Sequence, residues 1–225
     1  MAPALTTTSY AILGLLAIRP WTTYELAGQM SRALGLFWPR AESGLYEEPK
    51  KLVAHGLARA SSETVGKRPK TVYSITPAGR RALGAWLATA SAGPVLEFEA
   101  LVKVFFAEHA SKDDLVATIH GVREWAEARA VTGLAICREY LEGKGSFPER
   151  LPWLILAGRF LYEFEEAVIR WVEWAEAVVG EWPDDVRDAS PDWQALADMA
   201  ARNEAVVRAA TQRRRAVTRA SPPPH

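Results

Sequence analysis

A single cysteine among 225 residues, Cys137, excludes an intrachain disulfide and makes a reducing compartment the expected setting. The four histidines, His55, His109, His120 and His225, are not spaced with that cysteine or with carboxylates as a zinc site requires, so no metal or other cofactor is expected. No segment approaches the roughly 18 to 20 consecutive apolar residues needed to span a bilayer. The apolar stretch from Tyr10 to Ile18 lacks a basic leader and runs into a helical pattern. Neither a membrane partner nor a cleaved signal is expected, and the cytoplasm is the expected location. Phosphate-binding and dinucleotide loops are also missing, since Gly66-Lys67 has no upstream glycine at the required spacing. Glu165 and Glu166 are adjacent and cannot face one another on a helix, while Ser43 and Ser74 have no nucleophile context. No catalysis is expected.

An excess of one charge is absent overall, with 27 basic and 27 acidic residues, but the two signs are segregated. Residues 1–90 hold 11 Lys and Arg against 5 Asp and Glu, and residues 91–225 hold 16 against 22. Alternating apolar patterns are scarce and helical spacing dominates, so the fold is expected to be mainly α.

In the basic part, caps at Thr6 to Ser9 precede Ile12, Leu13, Leu15, Leu16 and Ile18, which form the inner face of a first helix that Arg19-Pro20 stops. A second helix starts at Thr22 or Thr23, with Tyr24, Leu26, Ala27 and Met30 on its inner side and Gly35 at its end. Ser43 is the expected cap of a third helix that turns Leu45, Leu52 and Val53 inward, displays Tyr46, Lys50 and Lys51, and ends at Gly56. Two short strands follow, joined by the basic turn ETVGKRPK. Val72 and Ile75 have opposite parity, which leaves the facing of the second strand open. Thr76-Pro77 opens a fourth helix with Leu83, Trp86 and Leu87 as its apolar stripe.

Three helices, a basic hairpin and another helix make the order of a winged helix-turn-helix. A helix about 10 to 12 Å across fits a major groove about 12 Å wide, and lysines and arginines release counterions from phosphates. Lys50, Lys51, Lys67, Arg68 and Lys70 fall where such a module meets double-stranded DNA.

These residues resemble the PadR family of bacterial transcriptional regulators. The resemblance rests on YAILGLLAIRPWTTYEL, SGLYEEPKKLVAHGLA and KTVYSITPAGRRALGAWL, and continues through EFEALVKVFFAEH and RLPWLILAGRFLYEFEEAVIRWVEWAEAV, covering about residues 1–182. It implies that Tyr24, Ser43, Tyr46, Lys50, Lys51, Lys67, Arg68 and Lys70 occupy DNA-contact positions. The helical pattern alone leaves Tyr46 open between DNA contact and core. Two positions depart from the family: Thr23 replaces a common glycine, and Pro49 replaces a common leucine inside the third helix. Proline in a helix interior costs about 3 kcal/mol, so a kink or a tight first turn is predicted near Leu45 to Glu48. Glu47 and Glu48 are expected to bring negative charge close to the DNA surface.

Residues 91–182 read as a helical dimerisation and effector domain. One helix is expected around Leu96, Ala100, Leu101, Val104 and Phe105, a long one from Asp113 and Asp114 to about Leu141, a linker at Gly143 to Pro148, and a second long helix from Glu149 to Gly180. The last helix is too apolar for one neighbour to cover, which makes a homodimer the expected assembly. The resemblance implies the same, and relatives place aromatic residues around an effector site. Trp153, Phe164, Trp171 and Trp174 are the candidates for a small aromatic ligand, with packing as the competing account. Residues 183–225 form an extension with a further helix after Ser190-Pro191, an arginine cluster at Arg213, Arg214 and Arg215, and about ten disordered terminal residues.

The expectation is a transcriptional regulator, a repressor by sign, that binds an inverted-repeat operator as a homodimer with half-sites about 34 Å apart or a multiple of it. The alternative is a protein-interaction or ligand-sensing module that has lost specific DNA reading, with Pro49 and the Glu47-Glu48 pair as its support. A small-molecule enzyme built on the helical half is the third reading, and no residues carry it.

Overall fold

The computed structural model describes residues 4–38, 46–65 and 68–220. They divide into two compact units, residues 1–97 with 149–161, and residues 98–148 with 162–225.

In the first unit, helix α1 (Thr7–Ile18) begins with a capping box: the Thr6 hydroxyl accepts from the Ser9 amide while the Ser9 side chain accepts from the Thr6 amide. Ile12, Leu13 and Leu16 are fully buried, and the helix stops at extended Arg19, as the following Pro20 requires. Strand β1 (Trp21–Thr22) leads into α2 (Thr23–Leu34), whose first turn is closed by a second box between Thr22 and Glu25. Leu26 and Met30 of α2 are buried, but Tyr24 is 86% exposed. The expectation that Tyr24 helps line the inner side is therefore corrected. It occupies the second position of the helix, on the opposite side from Leu26 and Met30.

Helix α3 (Glu48–Ala54) is shorter than expected. Its cap position is Glu47, without a side-chain hydrogen bond, so Ser43 is not the cap; Ser43 and Leu45 lie outside the described residues. Pro49 sits in the first turn, where its missing N–H has no helical acceptor to lose, and a turn at Tyr46 and Glu47 precedes it. The helix begins at the proline instead of running through it; of the segment Leu45 to Glu48, where the sequence predicts a kink or a tight first turn, Leu45 lies outside the described residues. At the other end Gly56 has φ of 69°, with its amide on the Val53 carbonyl at 2.9 Å and the Leu57 amide on the Leu52 carbonyl at 2.9 Å. This Schellman pair closes α3 and needs a residue at ease with positive φ.

Strands β2 (Ala58–Val65) and β3 (Arg68–Ile75) pair antiparallel from Ala58 opposite Ile75 to Val65 opposite Arg68, with Gly66 and Lys67 between them. The sheet has a third member, since β1 adds to β3 in the order β1-β3-β2, Trp21 opposite Tyr73. Trp21 and Tyr73 are both buried, which settles the facing of the second strand, and Trp21 Nε1 donates to the Leu15 carbonyl at 2.8 Å. Helix α4 (Pro77–Leu87) follows, with Trp86 stacked on Tyr10 of α1 at 4.9 Å and an interplanar angle of 3°.

The second unit contains α5 (Glu99–Phe105), a 3-10 turn at Ala107–His109, α6 (Lys112–Leu141), and the larger part of α7 (Leu151–Gly180), which follows a 3-10 turn at Pro148–Arg150. Leu115, Ile119, Val122 and Ala126 of α6 and Val168, Val172, Ala175 and Val179 of α7 build one core cluster. Both sets repeat at i, i+4, i+7 and i+11, the stripe of two helices packed along their length. Arg123 to Glu176 and Arg129 to Glu165 bridge the pair and run in opposite chain senses, so the helices are antiparallel. Lys112 donates to the Gly180 carbonyl at 3.0 Å and the Trp182 carbonyl at 2.5 Å, satisfying the open end of α7. Helix α8 (Trp193–Ala220) forms the extension; residues 216–220, expected to be disordered, continue it.

Candidate nucleic-acid interface

The geometry of α3 begins from Glu48. This residue is only 8% exposed, and its carboxylate accepts from the Ser9 hydroxyl of α1 and from Lys51 Nζ at 2.6 Å. A buried carboxylate needs such partners, because an unpaired one costs several kcal/mol. Here they clamp the start of α3 to the start of α1, while Leu52 is buried below. Glu48 thus points inward, and the expectation that it brings charge to the outer surface is corrected. The physical cause is that a seven-residue helix starting at Glu48 turns positions 48 and 52 to one side.

The partner of Glu48 is correspondingly less available. The Lys51 side chain is mostly buried, and its ammonium also lies 3.4 Å from the Ala4 carbonyl. Lys50 is exposed and paired at 2.8 Å with the exposed Glu47, whose hydrogen bond raises the lysine pKa above its ordinary value. Tyr46, 64% exposed, stands outside the core in the turn before α3. The outer surface at this end of α3 is therefore Tyr46, Glu47 and Lys50, and Tyr24 lies exposed on the first turn of α2. On the hairpin, Lys70 is exposed; Arg68 belongs to β3, Lys67 lies outside the described residues, and so does Ser43. Arg59 on β2, opposite Ser74, adds an exposed cation that the sequence analysis did not single out. Its only signal there was the charge total of the first ninety residues.

The hairpin and α3 share one joint. The Thr76 amide donates to the Leu57 carbonyl at 3.0 Å, its hydroxyl donates to the Gly56 carbonyl at 2.8 Å, and the same hydroxyl accepts from the Gly79 amide at 3.0 Å. Gly79 fits because it has no side chain: a Cβ there would stand 2.1 Å from the Leu57 carbonyl oxygen. The exit of α3, the base of the hairpin and the start of α4 meet at this point.

The four aromatic effector candidates separate by environment. Phe164 and Trp171 pack against the core of the second unit, whereas Trp174 and Trp153 are largely exposed, Trp153 in the segment that groups with the first unit. Phe164 meets Trp125 edge to face at 6.3 Å, and the Arg129 guanidinium lies over the same indole at 5.1 Å. Trp125 was not among the candidates because it sits in a helix of low apolar contrast. No helix among the described residues is long and apolar enough to cross a membrane, and no described group of three or more His, Cys, Asp or Glu is placed to hold a metal.

Residues 12–85 match the family described as transcriptional regulator PadR-like, and residues 98–179 the one described as virulence activator alpha C-term. Over 107 residues, 47% of this chain, the sequence is 31% identical to the negative transcriptional regulator PadR of Bacillus subtilis. A probable transcriptional regulator of Mycobacterium tuberculosis is 32% identical over 80 residues, 35% of this chain. The chain spans 59% and 42% of the lengths of these curated relatives. Among solved structures, Bacillus subtilis PadR in complex with p-coumaric acid superposes with a TM-score of 0.62 at 25% identity, covering 78% of this chain and 100% of that one. The same protein in complex with operator DNA gives a TM-score of 0.63 at 24% identity, covering 78% and 98%.

Proposed function

We propose that this chain, whose residues 12–85 match the PadR-like family of transcriptional regulators, is a sequence-specific DNA-binding regulator that acts as a homodimer on an inverted-repeat operator. The observation that carries this is the matched segment 12–85, which coincides with three helices, a hairpin and a fourth helix, with Tyr46, Glu47 and Lys50 on the outer surface at the start of α3. A groove-reading helix with flanking basic strands is the arrangement that double-stranded DNA accommodates. Residues 1–90 are the reading module in this account and 91–182 the dimerisation and effector domain, with 183–225 appended.

Tyr24, Ser43, Tyr46 and Lys50 are the proposed contacts from the helices, with Lys67, Arg68 and Lys70 from the hairpin. Lys51 belongs to the same set by position, but its pairing with Glu48 gives it first the work of holding α3. Repression is the favoured sign, supported by the likeness to a negative regulator; the match of residues 98–179 to a virulence-activator domain supports activation as the second reading. The effector is proposed to be a small aromatic acid, in keeping with the p-coumaric acid bound by the Bacillus subtilis protein. Trp153, Phe164, Trp171 and Trp174 are its candidate contacts. The protein works by binding rather than catalysis in this reading, in the cytoplasm.

Selection of duplexes from a random pool by the purified protein tests the proposal. A palindrome enriched with half-sites about 34 Å apart, or a multiple, is the expected result. Recovery of duplexes without a shared sequence would instead favour the interaction module.

A further inference from the structure

Helix α8 lies wholly beyond residue 179, where the family match ends, and of its residues 193–216 all but Ala195, Ala209 and Ala210 are exposed. Its exposure is not that of a polar helix. Trp193, Leu196, Met199, Val206 and Val207 are between 51% and 70% exposed, and together with Ala200 and Ala210 they follow helical spacing along one side. An apolar stripe of nearly five turns, largely left in water, is the mark of an interaction surface. One polar residue, Asn203, stands at the centre of this stripe.

We propose that α8 is a self-association arm that pairs antiparallel with α8 of a second copy, with Asn203 on the two-fold axis. Charge selects the second copy as occupant. Asp184, Asp188 and Asp192 lie before or at the start of the helix, where Asp185 is already paired with Arg187, whereas Arg208, Arg213, Arg214 and Arg215 lie toward its end. An antiparallel pair sets each acidic end beside a basic one; a parallel pair stacks the arginines on themselves and the aspartates likewise. Pattern then selects the register. Rotation about Asn203 brings Leu196 opposite Ala210 of the second copy, Met199 opposite Val207, Ala200 opposite Val206, and Asp192 opposite Arg214. The two Asn203 amides meet at the axis, where each has a donor and an acceptor for the other. A lone polar residue in an apolar seam fixes register in this way, at some cost in stability. The contact adds to the dimerisation proposed above and rests on it only in requiring more than one copy.

Cysteine cross-linking of the full chain in a Cys137→Ser background tests the register. Under mild oxidation Asn203→Cys should form a covalent dimer at least ten times faster than either Leu196→Cys or Ala210→Cys alone, and an equimolar mixture of those two should cross-link. Equal cross-linking of all three single variants would mean parallel pairing and overturn the proposal. So would an Asn203→Cys protein that stays uncross-linked while sedimenting as a dimer, an outcome that leaves the regulator reading intact. The triple change Arg213→Ala, Arg214→Ala, Arg215→Ala separates the remaining possibility. If it lowers duplex affinity tenfold and Asn203→Cys does not cross-link, α8 is a phosphate clamp and the pairing is refuted. Cross-linking at Asn203 with no palindrome selected would sustain the arm and sink the operator instead.

Discussion

The Ser9 hydroxyl in the first turn of α1 donates a hydrogen bond to the Glu48 carboxylate in the first turn of α3, and both groups are buried. Thirty-nine residues separate them in sequence, so the contact ties the entry of one helix to that of another. Glu48→Ala removes the acceptor and leaves the Ser9 hydroxyl and the Lys51 ammonium without it. The expected loss is about 2 to 4 kcal/mol, a fall in Tm of roughly 4 to 16 °C for a chain of this size. Calorimetry of Glu48→Ala beside the double variant Ser9→Ala, Glu48→Ala checks it: the double variant should recover part of the loss, and strict additivity would contradict the coupling.

Neighbouring lysines are expected to behave differently. Lys50 is exposed with only a surface pair to Glu47, so Lys50→Ala should weaken binding to all duplexes and reduce the slope of log affinity against log salt by about 0.9, the value for one phosphate contact. Lys51→Ala strips the buried Glu48 of its counter-charge and should lower stability by about 2 kcal/mol or more. Salt titrations by fluorescence anisotropy and urea unfolding of both variants separate the roles; identical salt slopes and stabilities would contradict them.

Two glycines around α3 should differ in tolerance. Gly56→Ala meets no atom within 4 Å but must hold φ near 69°, a cost of about 1 to 2 kcal/mol. Gly79→Ala drives a methyl group into the Leu57 carbonyl, a backbone atom that moves only with the joint itself, and should cost about 2 to 3 kcal/mol. Denaturant midpoints should therefore rank wild type, Gly56→Ala, Gly79→Ala.

Acid should act through carboxylates held by local donors. The Arg187 guanidinium and amide bring Asp185 down to about 2, and the Ser111 hydroxyl and amide lower Asp114 at the start of α6. A depressed folded pKa stabilises fully above the unfolded value, near 3.8, and the contribution is lost as pH falls through the folded value. Stability attributable to these groups should be level above pH 5 and decline from about pH 4 toward 2. Urea midpoints across this range, compared with Asp185→Asn and Asp114→Asn, should show a shallower acid limb in each variant.

The helix order, the caps at Thr6, Thr22 and Thr76, the glycine stop at Gly56 and the long α6 and α7 were legible because each has a local cause in side-chain chemistry or helical period. Strand β1 was not, since two residues offer no alternation and only pairing with β3 makes Trp21 a strand. Tyr24 was misplaced because an aromatic at helical spacing reads as core whether or not the neighbouring chain reaches it. Glu48 carried the larger error. Its charge suggested solvent, and the compensating hydroxyl stands on another helix, so no local window contains the reason for its burial. At the candidate interface, Lys50 and Lys70 were legible as exposed cations, whereas the inward turn of Lys51 follows from Glu48 and was hidden with it.

Thr76 engages Gly56, Leu57 and Gly79 at once, so the end of α3 cannot drift from the foot of the hairpin. Bound to a duplex, the two would act as fixed jaws of a caliper, measuring the distance from groove floor to sugar-phosphate rim. A base step that widens or narrows that distance would then be rejected by misfit alone, without any side chain touching the base concerned.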